Sequence, residues 1–455
     1  MRVGSRRTQT GIWAVALLIA GASLLRLETL GARPLWADER AVHAFVVEAE
    51  RQGFRAAARV QGGHQTEAQL SPLHVAVVVA TTRVLGDSPV SLRLPSALAG
   101  IATVALVIAL GTALFGRRAG LVAGALTALS PYQIEYAQDA RAYALFVALA
   151  TAQLLAWFRY AATHRRVWLI AFGACGVAST YAHHLGLLCQ AALFAIAVAT
   201  AAGDRLASHP PSSHRALGRR QVLALAATFA AIGLSYLPQL PSLLGFLRSG
   251  VAEPLVLLSP TPRFLHELAG RWGAGRGAAA WLYALCFAAG VLAGIRAGRP
   301  SPSLLWWIVC PIAVFSLVPF SKFFDARYLM AAQPAFLLLV AHGAVTLFDV
   351  ARAALARLAP QQARLVSAAC AAALALAFLA PAAQAYAEFR RLPLRCSEFF
   401  LEPRILDLSG GFCRRHIVLN TLVPEDRYLL RSAAPAARPQ PGVEIAGPGL
   451  DDQGR

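Results

Sequence analysis

The chain has 455 residues, 57% of them hydrophobic and only 14% charged, with a formal charge of +19 and a mean hydropathy of +0.54. That composition excludes an ordinary soluble globular domain and indicates a polytopic membrane protein. The excess Arg falls in short clusters between apolar runs, where it sets topology and meets anionic lipid, so no nucleic-acid partner is expected.

Apolar runs of about 17 to 25 residues, the length that crosses a hydrocarbon core, fall near 11–30, 94–115, 119–137, 141–161, 167–182, 184–202, 221–240, 278–297, 303–320, 329–350 and 364–382. The sequence therefore predicts an all-α membrane protein of about eleven spans. The first run follows Arg2, Arg6 and Arg7 without an obvious small-residue cleavage site, and reads as a retained signal anchor.

Directly after it comes Arg33-Pro34-Leu35-Trp36-Ala37-Asp38-Glu39-Arg40. Two adjacent carboxylates at the water-facing end of a membrane helix are poor packing residues, because each costs several kcal/mol if buried unpaired. Asp38 and Glu39 are candidates for a general base, a metal ligand, or ion-pair partners of Arg33 or Arg40. Residues 41–60 read as a helix with Val42, Phe45 and Val46 on its apolar side, broken by Gln61-Gly62-Gly63-His64. Ser71–Gly86, with His74 and Arg83 inside it, is too short to cross comfortably and reads as a helix lying in the interface.

Leu92-Arg93-Leu94-Pro95-Ser96 places Arg93 in the first turn of the second span, with Pro95 tolerated there. Arg93 either grips a phosphate bidentately or snorkels to lipid head groups. The bend from Ser130 to Tyr143 carries Glu135, Gln138, Asp139, Arg141 and Tyr143, a dense set of partners for a polar ligand. Tyr181-Ala182-His183-His184 is an outer turn in which one His is available to join carboxylates from another loop. Lys322-Phe323-Phe324-Asp325-Ala326-Arg327-Tyr328 contains the only Lys in the chain. Five of the seven Cys lie in apolar runs and read as small buried hydrophobes. Cys396 and Cys413, in the polar tail, either pair as a disulfide or remain free thiols. The tail also holds a strand-like run at 417–422 and a Pro/Ala/Gly-rich end from about 433 that is expected to be disordered.

Charge orders the loops. With eleven spans and a cytoplasmic N-terminus, the short basic connectors (Arg117-Arg118, Arg165-Arg166, 205–220, 296–299, 352–364) fall inside, as the positive-inside rule expects. The outside segments are then 31–93, 138–141, the turn at 183, 241–277, 321–328 and the tail from 383. These hold nearly all the chemically suggestive residues. Carboxylates, separated cations and tyrosines beside apolar walls suit a ligand with an anionic head and a long lipid tail. No Gly-rich nucleotide motif is present.

At WADE, SPLH, DSPVSLRLPSALAG, LFGRRAGLVAGALTALSPYQIEYAQDARAYAL and SKFFDARYLMAAQP, in this order over about residues 10–350, the sequence resembles glycosyltransferase family 39. That group contains protein mannosyltransferases and lipid A aminoarabinose transferases and has the GT-C membrane fold. The resemblance implies transfer of a sugar from a polyprenyl phosphate to an acceptor hydroxyl of a glycan, lipid or protein, with inversion, on the outer side of the bacterial inner membrane. It implies Asp38 as the base that deprotonates the acceptor and Glu39 as a neighbour that orients the acceptor or the donor sugar. Arg93, Arg141, Lys322 and Arg327 are the implied donor-phosphate ligands. Asp139, with Glu135, Tyr143, His184 and Tyr328, is expected around the substrate pocket. No nucleotide or other cofactor is required, and a divalent metal is left open. SPLH stands where a His-Pro-Pro-Leu stretch is frequent, and an acidic-Lys-Pro stretch of the aminoarabinose transferases is missing, so their zinc site and acceptor are not carried over.

The expected organisation is a catalytic membrane domain over 1–382, a small extracytoplasmic region over 383–432 and a disordered tail over 433–455. Two other function classes fit basic pockets at a membrane surface: a transporter or flippase of polyprenyl-linked sugars, and a noncatalytic lipid-phosphate binder. Clear internal repeats and ionisable residues at membrane depth, the marks of a transporter, are not evident.

Overall fold

The computed structural model describes residues 2–35, 37–58, 71–206, 216–251, 262–273, 278–317, 326–358 and 362–391, all within a compact unit spanning Met1–Leu394. The expected interruption at 61–64, Lys322, Asp325, the strand-like run, both tail cysteines and the disordered end lie outside the described residues. Among the described residues every regular element is helical.

In chain order these are α1 (Arg2–Leu27), α2 (Ala37–Gln52), α3 (Phe54–Ala57), α4 (Pro72–Leu85), α5 (Pro89–Phe115), α6 (Arg117–Leu129), α7 (Pro131–Ala137), α8 (Tyr143–Thr163), α9 (Arg166–Ala182), α10 (Gly186–Leu206) and α11 (Arg219–Tyr236). There follow α12 (Leu240–Val251), α13 (Pro262–Gly273), α14 (Ala278–Arg296), α15 (Ser301–Leu317), a 3₁₀ segment (Ala326–Ala332), α16 (Gln333–Leu358) and α17 (Ala363–Arg391). Each of the eleven predicted spans contains a helix among the described residues, and seven helical stretches are long and apolar enough to cross a membrane. The runs expected at 11–30, 167–182 and 303–320 contain shorter apolar helices: Gly11–Leu27, Arg166–Ala182 and the helix opening at Ser301.

Three local expectations change. The run 119–137 is two helices, because Ser130 caps a new one: its Oγ accepts from the Gln133 N–H at 3.4 Å and Pro131 occupies the first turn. The second span starts five residues early, at Pro89, where Ser88 and Ser91 exchange side-chain-to-backbone bonds in a capping box. Pro95 therefore lies inside α5 rather than in its opening turn. The helix expected over 41–60 opens at Ala37 and stops at Gly53, whose φ of 85° is accessible to Gly.

α5 is the hub, packing against α1, α4, α6, α7 and α8. Small residues permit the closest crossings. Gly111 and Gly120 face each other in the α5/α6 hairpin, and Gly290 and Gly343 bring α14 and α16 together so closely that a Cβ at either would meet backbone of the other helix. Large apolar side chains such as Trp13, Ile170, Leu234, Trp281 and Leu365 stay exposed on the outside of the bundle, as a lipid-facing surface requires. One buried cation lies in α1. Arg26 donates to the Thr127 and Ala128 carbonyls at 3.1 and 3.0 Å, closing the C-terminal turn of α6.

Candidate active site

Among the described residues, the start of α2, the bend at 138–143, the turn at 183 and the 3₁₀ segment from Ala326 come together. α2 lays Val42, Phe45, Val46 and Ala49 against Val75, Val78 and Val79 of α4, with Leu92 and Ala140 completing this small core. That packing fixes the start of α2, and with it Asp38 and Glu39.

The two carboxylates have different surroundings. Glu39 is 1% exposed and takes Arg93 bidentately, Nε to Oε1 and Nη2 to Oε2, both at 2.6 Å. Its Oε1 also accepts the Ala140 N–H at 2.9 Å. Arg93 uses its remaining N–H groups on the carbonyls of Leu30, Arg33 and Pro34 at 2.9, 3.0 and 3.1 Å. A guanidinium has five N–H groups, and protein acceptors satisfy all five here. Arg93, expected among the phosphate ligands, is thus a clamp joining α5 to α2 and the α1–α2 connector, and Glu39 extends the clamp to the bend before α8. The expected ion-pair partners of Glu39, Arg33 and Arg40, give way to Arg93. Glu39 lies in the interior of the scaffold.

Asp38 faces the other way and is one-third exposed. Its Oδ2 lies 3.4 Å from Arg141 Nη2 and 3.7 Å from Arg327 Nη1. Arg141 sits on a well-anchored bend: its carbonyl accepts from Ser96 Oγ at 3.0 Å, and Gln138 donates to the Leu25 carbonyl at 3.0 Å. Thr29 Oγ1 donates to Gln138 Oε1 at 3.3 Å. Arg327, on the 3₁₀ segment, has its guanidinium carbon 5.7 Å from the Tyr143 ring centre and 5.6 Å from that of Tyr328, which is cation–π range. Tyr143 is buried and stacks near His183 at 5.1 Å and edge-on to Tyr136 at 5.5 Å. Expected as pocket lining, its ring lies under the Arg327 guanidinium. Asp139 is fully buried next to Arg141, and Glu135 is half-buried on α7.

Neutral histidines lie beside these cations. His183 is held well below its ordinary pKa by burial first, then by His184, Arg141, Arg327 and His74. Its Nδ1 accepts from the Leu185 N–H at 3.2 Å, which leaves the proton of the neutral ring on Nε2. His74, at the start of α4, is pushed down to about 3 by burial and by Arg141, and its Nε2 is buried without a hydrogen-bond partner. His184 is lowered to about 4 by burial. It pairs through Nδ1 with the Tyr236 hydroxyl at 2.7 Å, on α11, rather than with the carboxylates. Among the described residues no group of three or more His, Cys, Asp or Glu side chains has a metal-binding arrangement.

Of the predicted site residues, the structure brings together Asp38, Arg141, Arg327, Tyr143, Tyr328 and Asp139. It sets Glu39 and Arg93 behind them as support, and His184 to one side. Sequence reasoning missed Ser96, which holds the Arg141 carbonyl, and His74 as a member of the cluster. The available signal for His74 was a lone His opening an otherwise apolar helix.

Residues 69–232 match the family described as dolichyl-phosphate-mannose-protein mannosyltransferase. No curated protein sequence matches the chain. Among solved structures, ArnT from Cupriavidus metallidurans in the apo state is similar at 18% identity and a TM-score of 0.55, over 83% of this chain and 72% of that one. The same protein bound to undecaprenyl phosphate matches at 16% identity and a TM-score of 0.55, over 92% of this chain and 72% of that one. Archaeal oligosaccharyltransferase AglB from Archaeoglobus fulgidus, in complex with an inhibitory peptide and a dolichol-phosphate, matches at 13% identity and a TM-score of 0.60, over 93% of this chain and 60% of that one. At these identities the structural likeness establishes the fold. The chain is a multi-pass helical membrane protein with the fold of ArnT and AglB, and its residues 69–232 match the mannosyltransferase family.

Proposed function

We propose that this chain transfers a sugar from a polyprenyl-phosphate donor to an acceptor hydroxyl at the extracytoplasmic face of the bacterial inner membrane, with inversion at the anomeric carbon. The observation that carries this reading is the half-buried Asp38 carboxylate standing between Arg141 and Arg327 at 3.4 and 3.7 Å. A base and two phosphate-binding cations within one small space are what such a transfer needs. The mannosyltransferase family match and the undecaprenyl- and dolichol-phosphate complexes of ArnT and AglB support the donor class.

In this mechanism the acceptor oxygen attacks the anomeric carbon from the face opposite the phosphate, and Asp38 takes its proton. The bond from the anomeric carbon to the phosphate oxygen breaks with its electron pair on phosphate, and the added negative charge falls to Arg141 and Arg327. Lys322 is a third cation by its place in the sequence. Tyr143 and Tyr328 hold Arg327, Asp139 shapes the pocket, and Glu135 and His184 stand at its margin. Glu39 and Arg93 keep Asp38 and Arg141 in register from behind. The catalytic unit is residues 1–382, with 383–432 as a small extracytoplasmic region and 433–455 as a tail.

The test compares envelope glycans and lipids by mass spectrometry in cells lacking the chain and in cells complemented with wild type or Asp38→Asn. A sugar missing from the first, restored by wild type and not restored by Asp38→Asn, is the expected result. Full restoration by Asp38→Asn rejects the assignment of the base.

A further inference from the structure

Adjacent residues carry two unlike ion pairs. Glu39 and Arg93 are locked at 2.6 Å with side chains 1% and 4% exposed. Asp38 meets Arg141 and Arg327 at 3.4 and 3.7 Å, with side chains 34%, 15% and 15% exposed. The first is a charge-assisted, bidentate pair. The second has spacings beyond the 2.7–2.9 Å typical of such bonds, and partly exposed pairs of this kind are weak and readily exchanged. One carboxylate oxygen, Oδ2, is shared by both guanidiniums.

We propose that Asp38 is an internal anion that the donor phosphate displaces, so that the base becomes available only after the donor has bound. Arg141 and Arg327 reach Asp38 from separate elements, the bend before α8 and the 3₁₀ segment before α16. A phosphate has oxygens enough to engage both at once, with the planar fork geometry that guanidinium groups favour. When it does, Asp38 Oδ2 gives up its cations and is turned over to the acceptor proton. The backbone at Asp38 stays in place during the exchange, because its neighbour Glu39 remains pinned to Arg93 and to the Ala140 N–H. Donor binding thereby precedes proton abstraction. This inference rests on the polyprenyl-phosphate reading of the site.

The test is titration of the purified full chain, in lipid nanodiscs, with a polyprenyl monophosphate, and with the matching polyprenol as the phosphate-free control. Removing the competing anion by Asp38→Asn gives a roughly five-fold tighter Kd, the equivalent of about 1 kcal/mol, and Asp38→Ala gives a similar gain. Asp87→Asn removes a different carboxylate, paired with His43 at 2.8 Å, and leaves Kd at the wild-type value. An unchanged or weaker Kd in both Asp38 variants overturns the displacement while leaving the donor class standing. An equal gain from Asp87→Asn also overturns it, because bulk charge then accounts for the effect. Absence of saturable binding to the wild type, or equal binding of the polyprenol, defeats the donor-class reading and the displacement with it.

Discussion

Arg93 and Glu39, 54 positions apart in sequence, form a bidentate pair at 2.6 Å in which every N–H of the guanidinium has an acceptor. Breaking such a buried pair leaves an uncompensated charge and costs about 3–5 kcal/mol. Arg93→Ala and Glu39→Ala are expected to lower the thermal unfolding midpoint of the purified protein strongly. The exchange Glu39→Arg with Arg93→Glu does not restore it, because three carbonyls and the Ala140 N–H each need the native polarity. Recovery in the swapped protein refutes the clamp.

Arg327 depends on its tyrosines. Tyr143→Phe keeps the ring face under the guanidinium, whereas Tyr143→Leu removes a contact worth about 1–2 kcal/mol. Steady-state kinetics with a donor substrate should show near-normal KM in the first and a several-fold increase in the second. Equal KM values in the two variants mean that Tyr143 does not support Arg327.

The buried histidines make stability sensitive to acid. Burial and Arg141 push His74 down to about 3 in the folded protein, against an ordinary value of 6.5, and His183 is also held low. The unfolded chain therefore binds more protons between about pH 6.5 and 3. Stability is present above the unfolded value and declines as pH falls through that window. His74→Leu removes one such group and should flatten the dependence of the unfolding midpoint on pH between 6.5 and 4. An unaltered slope shows that His74 is not buried in its neutral form.

The α14–α16 crossing offers a test of the fold itself. A methyl group at Gly343 meets the Cys286 carbonyl, and one at Gly290 meets the Leu339 carbonyl. Ala ordinarily favours a helix over Gly by about 1 kcal/mol; here Gly343→Ala is expected to destabilise, by about 1–3 kcal/mol as overpacking does. A rise in thermal midpoint contradicts the close approach.

Much of this architecture was legible in the sequence because hydropathy and Arg placement are local signals. They place the helices and sort Asp38, Arg141 and Arg327 to the same end. Helix boundaries set by single polar caps were harder, as Ser88 and Ser130 show: neither interrupts hydrophobicity enough to register in a long apolar window. Partner choice among like residues was not legible. Glu39 had Arg33 and Arg40 as neighbours in sequence, yet it pairs with Arg93 because α5 passes behind the start of α2, a fact of tertiary packing. For the same reason Asp38 and Glu39, identical in charge and adjacent in sequence, separate into a half-buried group and a fully buried one. They lie about 100° apart around α2, and only the location of the core decides which faces inward.

The most direct test of the central claim is release of polyprenyl phosphate from a polyprenyl-phosphate sugar by the reconstituted chain, measured for wild type and Asp38→Asn together with donor binding. A general base contributes about 10²–10⁴-fold, so Asp38→Asn is expected to lose turnover by at least two orders of magnitude while still binding donor. Turnover within a few-fold of wild type in a variant that binds donor contradicts the account.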